Sequence, residues 1–158
     1  MVSAARIERL LRQRDLKFFR AADGESRWII PFQEGHLSLL LDGDGENLLF
    51  RTSAIVSLEH QRLEQKAAWW QAAMAFNDQI RLGRWVGHEA IHFELPICLE
   101  GKARMTDAQF YHALAVTTAS LATGRERLEE MMAELPSTQM SDDPLAIFSL
   151  RGRPSENN

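Results

Sequence analysis

Gly87-His88-Glu89-Ala90-Ile91-His92-Phe93-Glu94-Leu95-Pro96-Ile97-Cys98-Leu99, residues 87–99, carries two readings that exclude each other. His88-Glu89-Ala90-Ile91-His92 matches H-E-x-x-H, the zinc-protease pattern in which two histidines one helical turn apart hold the metal and the glutamate activates water. That chemistry needs a helix. Yet Ile91, Phe93, Leu95 and Ile97 alternate strictly with His92, Glu94, Pro96 and Cys98, the period of a half-buried strand. A helix starting after Gly87 would meet Pro96 after about two turns. On one straight strand, residues four apart stand about 13 Å from each other, too far to share an ion with bonds of about 2 Å. A hairpin turn at residues 87–90 would bring the rings closer, but a third ligand is still required, and nothing distinguishes Glu126, Glu129 or Glu130 on a downstream helix for that role. The strand reading is preferred, with a small zinc-dependent metallohydrolase on His88, Glu89 and His92 as the alternative. Pro96 has no N–H for a ladder, which places it at an edge or in an unpaired register.

Working outward, Arg84 to Val86 supplies a second strand, and before it a long helix is expected from Leu58 to Leu82, closed by Gly83 just past its last turn. Two apolar stripes run along that helix. One is Leu63, Ala67, Trp70 and Met74, the other Trp69, Ala73, Phe76 and Ile80, a breadth that suits a helix covered by a sheet on one side and by a second subunit on the other. Further upstream, Lys17 to Ala21, Ser26 to Phe32, His36 to Leu41 and Asn47 to Thr52 read as an antiparallel meander with turns at Asp23-Gly24, Glu34-Gly35 and Asp42-Gly43-Asp44-Gly45. The acidic loop lacks the glycine at position six and the glutamate at position twelve of a calcium-binding EF-hand, so it reads as a hairpin turn. Trp28, Ile30 and Phe32 share one face, as do Leu37, Leu39 and Leu41, while Leu40 hints at a partly covered second face. Ser3 to about Arg14 forms a short amphipathic helix whose arginines are solvated.

Downstream, Thr106 and Gln109 form a capping box. Phe110, Leu114, Thr117, Leu121, Leu128, Met132 and Leu135 then continue at helical spacing, and Gly124 is either a close-packing point or a break. The reading gives one α+β domain over residues 1–135, an antiparallel sheet with helices packed on it in the order α-β-β-β-β-α-β-β-α. A flexible C-terminal tail is expected over 136–158, with an apolar island around Ile147 and Phe148 able to dock back.

Composition narrows the function. The 158 residues are 45% hydrophobic and 25% charged, an ordinary globular profile. Eighteen basic against 22 acidic residues leave a net of −4, without the basic excess that phosphate neutralisation asks for, so no nucleic-acid partner is expected. No apolar run is long enough to span a membrane. A single cysteine, Cys98, excludes an internal disulfide and fits a cytoplasmic location. There is no G-x-S-x-G, P-loop or G-x-G-x-x-G; Cys98 sits in a strand pattern, and His36, His60 and His112 are scattered singly. No catalytic residue and no cofactor is assigned.

The stretch Phe76-Asn77-Asp78-Gln79-Ile80-Arg81-Leu82-Gly83-Arg84-Trp85, the alternating strand through Leu95-Pro96 and the cap Met105-Thr106-Asp107-Ala108-Gln109-Phe110 resemble the YbjN-like family over about Ala4 to Glu134. That family is described as bacterial sensory transduction regulators and has the type III secretion chaperone-like fold. The resemblance implies a non-enzymatic, protein-binding, chaperone-like or regulatory module acting as a homodimer. The residues themselves suggest where: Trp28, Ile30, Leu37, Leu39 and Leu41 on the sheet, with Trp69 and Trp70 on the helix, exceed what a small core needs and are candidates for holding a partner segment.

Overall fold

The computed structural model describes residues 2–22, 26–99 and 104–135. Along the chain run α1 (Ala4–Arg12), β1 (Phe19–Arg20), β2 (Ser26–Phe32), β3 (Gly35–Leu41), β4 (Asn47–Thr52) and β5 (Val56–Ser57). Then follow α2 (Leu63–Asn77), β6 (Arg84–Gly87), β7 (Ala90–Cys98) and α3 (Asp107–Glu134). The strands form one seven-stranded antiparallel sheet in the order β1-β2-β3-β4-β7-β5, with β6 on the other side of β7. Residues 84–99 are therefore a β-hairpin, as their alternation predicts. The turn at Asp23-Gly24, the tail over 136–158 and the island around Ile147 and Phe148 lie outside the described residues.

The helices sit on the face that carries Trp28, Ile30, Leu37, Leu39, Leu48, Phe50, Trp85 and Phe93, and one cluster of buried side chains joins these to Ile7, Leu10 and Leu11 of α1 and to Phe110 and Leu128 of α3. Phe50 and Phe110 meet edge to face at 5.5 Å. Ser3 caps α1 by accepting from the Arg6 N–H, and the α1–α3 contact is fixed at two points. Arg6 pairs with Asp107 at 2.8 Å, and the Tyr111 hydroxyl donates to the Leu10 carbonyl at 3.0 Å. The capping box is present in both directions: Gln109 N–H donates to Thr106 Oγ1, and Thr106 N–H donates to Gln109 Oε1.

Two expectations are corrected. The helix expected over Leu58–Leu82 is shorter at both ends. Its beginning is taken up by the sheet, because Val56 and Ser57 pair with Ile91 and Ala90 and the Leu58 N–H donates to the Glu89 carbonyl, adding a strand the spacing did not disclose. Its end is drawn off by Asn77, whose side-chain amide donates to the Trp85 carbonyl at 2.9 Å and whose Oδ1 accepts from the Trp85 N–H at 2.6 Å. Gly83 is thus not the helix cap. It stands at φ +75° in the turn into β6, where a Cβ would strike the Phe93 ring.

Gly124 is a close-packing point in an unbroken 28-residue helix. A Cβ there would stand 2.5 Å from Trp85 Cη2 and 2.9 Å from Ile55 Cδ1. Trp85 has no room to yield, being stacked on Phe76 at 5.7 Å and set edge-on to Phe93 at 5.2 Å. Helix propensity favours alanine by about 1 kcal/mol, while overpacking a core costs about 1–3 kcal/mol. Gly124→Ala is therefore expected to lower unfolding free energy by about 1 kcal/mol in urea titration; a stabilised variant would disprove the packing argument.

In the β3–β4 hairpin, the Asp42 carboxylate accepts from the N–H groups of Asn47 at 3.0 Å and Glu46 at 2.9 Å and from the Asn47 side chain. The Asn47 backbone bond leads in holding the Asp42 carboxyl below the ordinary 3.8; desolvation opposes it as the next largest influence, and the bonds from the Asn47 side chain and the Glu46 N–H keep the balance downward. A carboxylate with a lowered native pKa stabilises the fold above its unfolded value and loses that contribution as pH falls through the native one. The melting-temperature difference between wild type and Asp42→Ala is accordingly expected at neutral pH and should shrink below 3.8.

Candidate protein-binding surfaces

The structure sorts the seven candidate side chains into inside and outside. Trp28, Ile30, Leu37 and Leu39 are fully buried beneath the helices, and the Trp28 indole N–H donates to Glu8 Oε1 of α1 at 3.3 Å. Contact between these four and a partner would require the helices to lift from the sheet. Trp69 is also buried, on the core side of α2, whereas Leu41 and Trp70 are half-buried and keep some surface in water.

Among the described residues, the helices leave the sheet's other face open. The register brings Phe19, Ile29, Ser38, Arg51, Glu94 and Arg84 into one row across six strands, and Arg27, Leu40, Leu49 and Pro96 into the next. Ile29, Leu40 and Leu49 are half-buried, and Phe19 is 64% exposed. Beside Leu40 and Leu49 a depression of about 480 Å³ extends to Ser26, Asp42 and Asn47. Leu40, the residue that broke the polar alternation, belongs to this face.

Charge on the open face is anchored at Glu94. Its side chain is 10% exposed and lies between two guanidiniums, with Arg84 Nη2 at 3.2 Å from Oε2 and Arg51 Nε at 3.4 Å from Oε1. A carboxylate this far from water is stable only with such partners. Arg27 lies in the next row, and the Asp42 carboxylate borders the depression beside Leu40 and Leu49.

Both outer edges of the sheet are interrupted by proline. Ala21 N–H donates to the Arg27 carbonyl, so backbone groups of residues 27, 29 and 31 point toward the β1 side, and Pro31 lies beyond the end of β1 with no N–H to offer. On β7, Leu99 N–H donates to the Glu46 carbonyl, so odd positions bond toward β4 and even ones toward β6. The β6 pairing stops at Glu94, and the next even residue is Pro96. The edge position inferred for Pro96 holds for this half of the strand. Such prolines blunt edge-to-edge pairing.

Helix α2 presents the second apolar surface. Its inward side buries Trp69, Ala72 and Ala73, and its outward stripe leaves Leu63 69% and Met74 61% exposed, with Trp70 half-buried between them.

His88 and Glu89 are exposed at the β6–β7 turn, and His92 stands on β7 with Nδ1–H donating to the Thr52 carbonyl at 3.1 Å. The helix that gives H-E-x-x-H its meaning is not present at these residues. Among the described residues, no three of His, Cys, Asp and Glu come together as a metal-binding group. His36, His60 and His112 are separate and exposed, and Cys98 is exposed on the open face of β7. No described helix is long and apolar enough to cross a membrane.

Glu94→Ala is expected to cost about 2 kcal/mol of stability by denaturant titration, because it leaves two guanidiniums facing each other. Arg84→Ala, at a 62% exposed position with Arg51 still in place, should cost less than about 1 kcal/mol. Equal losses would refute the asymmetry of the triad.

Comparison with family models and with curated proteins finds no match. Among solved structures, YbjN from E. coli, a protein provisionally assigned as a transcription regulator, aligns with a TM-score of 0.59 at 14% identity over 85% of this chain and 97% of that one. A chain of the ExsC–ExsE complex aligns at 0.53 with 18% identity over 81% of this chain and 97% of that one. This chain therefore has the α+β, type III secretion chaperone-like fold of which YbjN is an example.

Proposed function

We propose that the protein is a non-enzymatic binding module, chaperone-like or regulatory, that works in the cytoplasm as a homodimer and holds a segment of another protein. The observation that carries this reading is the outward stripe of α2, where Leu63 and Met74 stand in water beside Trp70. Fully burying such a side chain stabilises an association by about 2 kcal/mol, and a two-fold interface presents the stripe twice. Support for a protein partner comes from the fold shared with a chain crystallised in a complex of two proteins, ExsC and ExsE. Of the seven side chains selected from the sequence, Leu41 and Trp70 have surface for contact, and the other five act by supporting those surfaces from within.

Light scattering on the purified chain is expected to give twice the 18.0 kDa chain mass. The double variant Leu63→Glu, Met74→Glu should return it to 18.0 kDa with its circular dichroism unchanged. A wild-type chain that stays monomeric at high concentration would remove the homodimer from this reading.

A further inference from the structure

The outward stripe of α2 reads the same from either end. Leu63, Ala67, Trp70 and Met74 follow one another at intervals of four, three and four residues. Leu63 is 69% and Met74 61% exposed, and Ala67 and Trp70 between them are half-buried. We propose that two copies of the chain join by packing their α2 helices antiparallel about a two-fold axis that passes between residues 68 and 69. Leu63 then meets the partner's Met74, and Trp70 lies over the partner's Ala67. Each contact occurs twice. This arrangement rests on the homodimer reading above and fixes how the second copy is seated.

Side-chain size selects this arrangement. A parallel pair would set Trp70 against the partner's Trp70 and Ala67 against the partner's Ala67, which crowds one layer and leaves a gap in the next. The antiparallel pair places a large ring against a small side chain in both central layers. It also opposes the two helix dipoles. Sliding one helix by two turns would leave two of the four stripe residues without a partner, so the stripe admits one register along its length. The charged groups of α2 stand off the strip. Glu64 and Asp78 share one flank with Gln71, all three exposed, and Arg62 and Lys66 lie on the other. An antiparallel two-fold brings each flank against its own copy, so the partner neutralises neither flank and the apolar strip carries the association. On the first flank Gln71 comes beside the partner's Glu64, about 3 Å apart along the axis, whereas Glu64 of its own helix is about 10 Å away. The residues three and four places to either side of Gln71 are Ala67, Ala68, Met74 and Ala75, so a charge placed at position 71 has no ionic neighbour within its own helix.

The test uses the full chain with Cys98→Ser, which removes its single native thiol. Protein carrying Leu63→Cys, protein carrying Met74→Cys and an equal mixture of the two are treated with a short bismaleimide. Crosslinked dimer is expected in the mixture and nearly none in either variant alone, because each position stands about 16 Å along the axis from its own copy. Sedimentation over a concentration series is expected to give a dimer about fivefold tighter in Gln71→Lys, which forms two exposed ion pairs with the partner's Glu64 and its symmetry mate, and about fivefold weaker in Gln71→Glu. Glu130→Lys on the exposed side of α3 controls for net charge and should change nothing. Crosslinking of Leu63→Cys alone to the extent of the mixture overturns the antiparallel axis, as does indifference to both Gln71 variants. A wild-type chain that is monomeric but becomes dimeric with Ile147→Ser and Phe148→Ser would give the stripe to the chain's own segment 145–150 and overturn the assignment to a second copy. A dimer whose mass stands while the crosslink and the Gln71 variants fail refutes the axis and leaves the homodimer in place, whereas absence of any dimer refutes both.

Discussion

Strand β7 is hydrogen-bonded on one side to β4 and β5 and on the other to β6, and its two-residue period assigns chemistry to each face of the sheet. Odd positions Ile91, Phe93 and Leu95 enter the core beneath the helices. Even positions His92, Glu94, Pro96 and Cys98 face the opposite way. A shift of one residue would drive Glu94 into hydrocarbon and expose Phe93, so the register is held by a large penalty on either side. Four other strands inherit their facing from it through the pairings Leu48–Ile97, Arg51–Glu94, Trp85–Phe93 and Val56–Ile91, and through β4 to β3.

The inward side is a packed jigsaw in which Trp85 is the central piece. It lies between Phe76 of α2 and Phe93 of β7 and presses on Gly124 of α3, so a single indole registers two helices against the sheet. Asn77 completes the arrangement by bonding both backbone groups of Trp85, which fixes where α2 must end. Interiors at this density do not accommodate even one added methyl without displacement.

The outward surfaces follow other rules. On the open face a desolvated carboxylate orders two arginines, and apolar side chains beside them stay partly hydrated. On α2 an apolar stripe remains in water because the helix has already used its other side to cover β6 and α3. Prolines at the edges reduce unwanted strand addition. The molecule thus presents two apolar areas, one on the open sheet face beside Glu94 and its arginine partners and one along the outward side of α2.

Local sequence determined much of this architecture. The alternation in 90–98 specified a strand over a zinc-binding helix, Thr106 and Gln109 specified the start of α3, and Ser26–Phe32 and Asn47–Thr52 were legible to the residue, because each depends on period, capping chemistry or turn residues within a few positions. The limits of α2 were not legible, since Leu58 and Asn77 are recruited by partners at Glu89 and Trp85. Nor was the open face. Alternation shows that a strand has an apolar side, but Trp28, Ile30, Leu37 and Leu39 looked equally suited to a partner or to the protein's own helices. Only tertiary packing decided it, because α1 and α3 close over Trp28, Ile30, Leu37 and Leu39 while Ile29, Leu40 and Leu49 stay half-buried on the other side.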